Sequence, residues 1–187
     1  MRIVLRFCFV TLLLLVSAAL ARAQVFSSVG VMTSTVMQQH QSSFSGLSAR
    51  VGLRSARIIE GFELLPYVEY WRNSARIEVR DHTITHTITS ARKDATLGAD
   101  ARYTFQRAGW RPYVGAGLGV HFLSTEVDAP SLGLDHANDS VIKGGLSALA
   151  GITFPLTRHL DNFMELKYHH LRGDSQLKIN MGIAWKL

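Results

Sequence analysis

At the C-terminus, Leu177, Ile179, Met181, Ile183, Trp185 and Leu187 alternate with Lys178, Asn180, Gly182, Ala184 and Lys186. A two-residue period places every large apolar side chain on one face of a β-strand and every polar or small one on the other. The same period recurs upstream. Val29, Val31, Thr33, Thr35 and Met37 share a face in a first strand from about Val25 to Gln38, and Leu47, Ala49, Val51 and Leu53 oppose Ser48, Arg50, Gly52 and Arg54 in a second. A third, from Phe62, sets Val68 and Tyr70 against Tyr67, Glu69 and Trp71; a fourth sets Leu97, Ala99, Ala101, Tyr103 and Phe105 against Thr96, Gly98, Asp100, Arg102 and Thr104. In the fifth, Val114, Ala116, Leu118, Val120 and Phe122 alternate with Gly115, Gly117, Gly119 and His121. Leu146, Ala148, Ala150, Ile152 and Phe154 against Ser147, Gly151 and Thr153 mark the sixth, and Met164, Leu166 and Tyr168 against Glu165, Lys167 and His169 the seventh. With the C-terminal strand there are about eight, an even number that lets an antiparallel up-and-down sheet close on itself.

The connections alternate in size. Arg57 to Gly61, Gln106 to Gly109 and Thr157 to Asp161 are short, while Asn73 to Ala95 and Ser124 to Ile142 are long. The outer connections near His40 to Ser45 and Arg172 to Ser175 are modest. Outer-membrane barrels show this asymmetry, with short periplasmic turns and longer external loops. Within the first long connection, Ala75, Ile77 and Val79, then Ile84, His86 and Ile88, keep the two-residue period, which predicts a hairpin turning near Arg80 to His82. At about 3.3 Å per residue a strand from Gly61 to Val79 spans roughly 60 Å, well beyond a band of about 25 Å. The second long connection reads as a loop.

Alternation does not say which face points inward, and a soluble barrel with a greasy interior shares the period. The polar face decides. It carries Gly52, Gly98, Gly115, Gly117, Gly119, Gly151 and Gly182 among charges of both signs. Glycine within a strand marks close packing or bending, which suits a crowded narrow lumen. Arg50, Arg54, Glu69, Asp100, Arg102, His121, Glu165, Lys167 and Lys178 are the candidate lumen charge network, packing residues before functional ones. On the other face, Tyr70, Tyr103, Phe105, Phe122, Phe154, Tyr168 and Trp185 are placed as a lipid-interface girdle. The expected fold is all-β: a closed antiparallel up-and-down transmembrane β-barrel.

Arg2 and Arg6, the apolar run Phe7 to Leu20 and the small-x-small site Ala21-Arg22-Ala23 form the three parts of a secretory signal peptide. The run is shorter than the roughly 18 to 20 residues of a spanning helix. Residues 1–23 are therefore expected as a signal peptide and 24–187 as one barrel domain. Removing the leader takes away Arg2, Arg6 and Arg22 and no acid, which lowers the formal charge from +6 to +3. Cys8, the sole cysteine, leaves with it, so no disulfide braces the mature chain. Without a Lys/Arg block or a basic-aromatic stripe, nucleic-acid binding has no support.

The stretch Trp110-Arg-Pro-Tyr-Val-Gly-Ala-Gly-Leu-Gly-Val120, the run Met164-Glu-Leu-Lys-Tyr-His-His170 and the alternating C-terminus resemble the small outer-membrane β-barrel family of opacity-type and OmpA-like domains. The resemblance covers the mature chain and implies residence in the cell outer membrane of a Gram-negative envelope. Outer-membrane lipid and lipopolysaccharide would be its partners, with the assembly machinery engaging the C-terminal strand and the barrel a monomer. Such chains commonly finish on Phe or Trp, whereas this one ends Trp185, Lys186, Leu187.

Several motifs invite chemistry. Gly115-Ala-Gly-Leu-Gly119 lacks the strand-to-helix setting and the third spacing of a dinucleotide fingerprint. His169 and His170 should face opposite ways, and His82 and His86 would lie roughly 13 Å apart in an extended chain. Asp135, His136, Asn138 and Asp139 lack the ordered spacing of a calcium loop. No metal or cofactor is therefore expected. An outer-membrane lipid A deacylase is an enzymatic relative to weigh, with His169 or His170, Ser175 and Glu165 as its candidate set, although Ser175 stands five residues beyond His170. Arg172-Gly173-Asp174 matches an integrin-binding tripeptide, and a glycine turn explains it better. The expected function is a non-enzymatic, porin-like envelope protein with a side-chain-filled lumen and a structural or surface-interaction role. The alternatives are a narrow channel for small molecules and the deacylase.

Overall fold

Strand closure follows directly from the alternating segments. The computed structural model describes residues 25–38, 43–54, 59–81, 84–105, 109–129 and 134–187. The leader expected over residues 1–23 lies outside them, as do parts of the connections near His40, Arg57, His82 and Gln106. Eight strands run in chain order: β1 (Val25–Gln38), β2 (Phe44–Arg54), β3 (Phe62–Asp81), β4 (Ile84–Thr104), β5 (Arg111–Ala129), β6 (Leu134–Pro155), β7 (Leu160–Leu171) and β8 (Gln176–Lys186). Each pairs antiparallel with the next, and β1 pairs with β8 from Ser28↔Lys186 to Gln38↔Gln176, closing the barrel.

Closure sorts the two faces as the period requires. The apolar positions point out, with Leu118 61% exposed and Val31, Leu97, Leu166 and Ile183 also exposed. The girdle aromatics Tyr70, Tyr103, Phe105, Phe122, Phe154, Tyr168 and Trp185 are all on this outer surface. Polar positions point in, and Lys178, Asn180, His121 and Gln176 are fully buried. An exterior this apolar wrapped around an interior this charged is a barrel built for lipid, because water would reward the opposite arrangement.

Strand lengths divide the barrel into two parts. β2, β7 and β8 have 11 to 12 residues, close to the roughly 9–11 that cross a bilayer at a tilt. β3 to β6 have 19 to 22. The β3–β4 ladder continues to Asp81↔Ile84, as its alternation predicts. The stretch expected as a loop from Ser124 to Ile142 is instead ladder over 124–129 and 134–142. Ser124↔Ser140 and Glu126↔Asn138 pair, and after a register shift Ala129 meets Leu134. Beyond the bilayer neither face is forced to be apolar, so strands persist there without the alternation that reveals them. β4 and β5 also stay paired as far as Thr89↔Asp128. The two long hairpins are therefore one four-stranded sheet standing on one side of the barrel mouth.

At the opposite end the turns are tight. Gly61 adopts φ 89°, a left-handed conformation that costs glycine little, and its carbonyl accepts from Thr104 N at 2.8 Å.

The outward position of Leu118, paired with Ala99 on one side and Leu146 on the other, supplies a test. Leu118→Arg should destabilise the barrel by about 2–4 kcal/mol in a bilayer, measured by denaturant titration in phosphatidylcholine vesicles with heat-modifiable gel mobility as the readout of folding.

Candidate functional site

The interior is a stack of ion pairs and rings supplied by alternate residues of all eight strands. At the turn end, Glu63 accepts from Ser27 and Arg102, while Asp161 pairs with Arg111 and with Lys186 at 2.9 Å. These groups frame a vestibule of about 70 Å³. Above it Arg50 donates to Glu165 at 3.1 Å and lies 3.7 Å over the Phe163 ring. Glu165 also accepts from Tyr113 OH at 3.1 Å and Asn180 Nδ2 at 2.9 Å.

Next along the barrel, Lys167 Nζ donates to Asp100 at 2.6 Å and sits 3.8 Å from the Tyr67 ring centroid, while Ser147 donates to the other Asp100 oxygen at 3.1 Å. Lys178 Nζ reaches Glu69 at 2.5 Å. Beyond these pairs lies a histidine relay. His121 Nδ1 is 2.8 Å from Asp94 Oδ2, Thr96 donates to Asp94 at 3.2 Å, and His121 Nε2 is 3.2 Å from His169 Nδ1. The bonds are all satisfied when His121 Nδ1–H donates to Asp94 and His169 Nδ1–H donates to His121. Val36, Trp71 and Leu123, with Phe44 against them, close the stack with an apolar cluster.

Space for these large side chains comes from the inward glycines. A Cβ at Gly98 would run into the Tyr67 ring and come within 2.7 Å of the Leu118 carbonyl oxygen; one at Gly117 would collide with Asp100 Oδ1 and lie 2.6 Å from the Ala99 carbonyl oxygen. The glycine stripe of β5 is thus a recess into which Tyr67, Asp100 and Ser147 fit, with no phosphate cradle in it.

Eight of the nine sequence-derived network residues fall in this interior. Arg54 is the exception: it stands exposed at the turn-end rim, where β2 ends and the lumen has already opened to solvent. Thr96, Ser147, His169 and Asn180, read from the sequence as polar-face residues outside the charge network, belong to the stack, and so do Glu63, Asp94 and Asp161, which the pattern alone did not single out. Glu63, Asp94 and Asp161 sit an even number of residues from Glu69, Asp100 and Glu165 on their own strands, so parity was the signal available.

The other motifs resolve differently. His169 is buried inside and His170 exposed outside. Ser175 Oγ lies 3.4 Å from His170 Nδ1, but Glu165 is enclosed in the lumen on the other strand face, so the candidate triad is not assembled. Asn138 and Asp139 lie on β6 and pair with Glu126 and Thr125 of β5, not in a loop. Among the described residues no group of three or more His, Cys, Asp or Glu side chains could hold a metal ion. In Arg172-Gly173-Asp174, Gly173 adopts φ 80° and Asp174 is taken by Lys143 and by Arg92 at 2.7 Å. This clasp ties the β7–β8 turn to β4 and β6 outside the membrane-spanning segments.

Partial burial raises the Asp174 pKa, but the hydrogen bonds from Lys143 and Arg92 outweigh it and hold the carboxyl below its ordinary 3.8. A carboxylate whose pKa is lowered by folding contributes stability above its unfolded pKa and loses it as pH falls through the folded value. Amide protection factors across residues 172–175, exchange rates normalised to the intrinsic rate at each pH, should therefore be constant above about pH 5 and fall below 3.8, and Asp174→Asn should show low protection at every pH. Inside the lumen, Glu165→Ala strands Arg50 in a dry site and should cost about 3–5 kcal/mol, read from the same denaturant titration.

A family model described as opacity family porin protein matches residues 65–184. No curated protein matches the chain. Among solved structures, neisserial surface protein A is 17% identical with a TM-score of 0.57, covering 87% of this chain and 96% of its own. Ail, the attachment invasion locus protein of Yersinia pestis, crystallised with the heparin analogue sucrose octasulfate, is 12% identical with a TM-score of 0.54, covering 88% and 99%. A major outer membrane protein of Thermus thermophilus is 12% identical with a TM-score of 0.60, covering 86% and 99%. At these identities the shared property is the fold.

Proposed function

Because the chain belongs to the opacity family of porin proteins and is an outer-membrane barrel, we propose that it acts as a structural and surface-interaction protein of the Gram-negative envelope. It seals its own lumen and carries a four-stranded sheet beyond the membrane. The observation behind this reading is the state of Lys167 and Lys178: they are 1% and 0% exposed, each tied to a carboxylate that spans the interior. An eight-strand barrel has an interior just wide enough for side chains, whereas water-filled channels come with about 16–18 strands. The leader over residues 1–23 would direct export, β8 would engage the assembly machinery, and the barrel would work as a monomer with lipid and lipopolysaccharide against its outer face. We assign it no reaction and no cofactor.

One observation favours a second reading, passage of very small polar solutes. Glu69 Oε2, Tyr67 OH, His169 Nε2 and both polar atoms of the Gln176 amide are buried without a hydrogen-bond partner. Planar-bilayer recording separates the two. A sealed barrel should show no conductance on the scale of a large porin, and such a conductance would defeat the proposal. A small conductance that changes in Glu69→Gln or Asp100→Asn while folding is kept would establish the narrow channel instead.

A further inference from the structure

On the outward wall, Tyr70 of β3, Ala95 of β4 and Phe122 of β5 form one row across the sheet. A methyl group between two aromatic rings leaves a notch. Ala49 of β2 deepens it beside Val68 and Leu97, and the hollow measures about 540 Å³ with an almost wholly apolar lining. The next row outward, two residues or roughly 7 Å further along the strands, is Arg72, Lys93 and Ser124. Arg72 and Lys93 are direct cross-strand partners on the same outward face. Like charges directly opposite each other destabilise a sheet, so this pairing calls for an anion. Lys93 has Glu126 at 2.5 Å, and an ammonium has further donors to give. Arg72 is exposed and has no carboxylate partner among the described residues.

We propose that this wall is a binding site for one phosphorylated, multiply acylated lipid of the outer leaflet, with an acyl chain in the notch over Ala49 and Ala95 and a phosphomonoester between Arg72 and Lys93. The inference rests on the outer-membrane reading above and identifies where on the barrel that lipid is held. A phosphomonoester carries a charge of about −1.5 to −2 at neutral pH, which two adjacent cations match better than they match a phosphodiester. A guanidinium can also take two phosphate oxygens at once. The spacing is that of an amphiphile at an interface: the aromatic row marks the edge of the apolar band, and the cations stand one row above it, where headgroups lie. Arg76, two rows further out, has Glu78 at 3.9 Å and is not part of the site.

The test uses the folded barrel in phosphatidylcholine nanodiscs doped with bis-phosphorylated lipid A, with dephosphorylated lipid A or with phosphatidylglycerol, and reads retained lipid by native mass spectrometry. The unaltered protein should retain one phosphorylated lipid A and release the other two lipids. Arg72→Gln combined with Lys93→Gln should weaken retention about tenfold or more. Ala95→Phe should do so by filling the notch, and Arg76→Gln should leave retention unchanged. Heat-modifiable mobility confirms that each variant is folded; if the double variant fails there, Arg72→Gln alone and Ala95→Phe carry the test. Equal retention of phosphatidylglycerol or dephosphorylated lipid, or undiminished retention in the folded variants, would overturn the site. Neither result depends on conductance, so loss of this site and loss of the sealed-barrel reading are separable.

Discussion

The controlling constraint is that a bilayer offers no hydrogen-bond partner. Each backbone N–H and C=O within it must be satisfied by the chain itself, and a closed sheet is the one strand arrangement that leaves no edge unpaired. The β1–β8 ladder, from Ser28↔Lys186 to Gln38↔Gln176, is therefore the join on which the remaining architecture depends. Once it closes, a narrow interior is enclosed, and side-chain charge placed there must be neutralised across the lumen. Arg50 with Glu165, Lys167 with Asp100 and Lys178 with Glu69 each join strands that are not neighbours in the sheet. They act as cross-braces between walls that hydrogen bonds alone connect only edge to edge.

Such braces are not free stabilisation. Desolvating two charges can cost as much as their attraction returns, and a well-packed apolar pair often does as well. What the ion pairs contribute here is register. Sliding one strand by two residues would keep its inward face polar but part Lys178 from Glu69 and move Tyr67 off its recess at Gly98. An apolar interior would tolerate that slip far better. The charged interior and the glycine stripe thus specify one alignment jointly, the glycines by shape and the ion pairs by sign.

How much of this was legible follows the same physics. Where lipid bathes one face and side chains crowd the other, the two-residue period is compulsory, and all eight strands, their order and the inward parity of Arg50, Glu69, Asp100 and Lys178 could be read from it. Outside the membrane that compulsion ends. Residues 124–129 and 134–142 form ladder without alternation and read as a loop, while the first hairpin was visible because Ala75, Ile77 and Val79 happen to keep the period. Parity also stops at the rim, which is why Arg54 shares the phase of the network without sharing its enclosure. The partners of each charge were beyond reach, since the stagger between strands, and with it the pairing of Arg50 with a residue 115 positions away, is set by the closed geometry.

The external sheet poses the opposite problem to the barrel. Among the described residues, none of β2 pairs with β3 beyond Trp71 and none of β7 pairs with β6 beyond Gly145, so the sheet of β3 to β6 presents two edges to solvent. Exposed edges invite pairing with other chains, and charge is a common safeguard. Here Arg72, Arg76 and Glu78 lie along the β3 margin, and Asn138, Asp139, Ser140 and Lys143 along that of β6. The clasp of Arg92 and Lys143 on Asp174 anchors the base of the same sheet to the far wall. A protruding platform with polar margins and a braced root can stay rigid while its faces remain open. That division of labour, a stem filled with paired charges below and a free sheet above, is what the proposed surface role rests on.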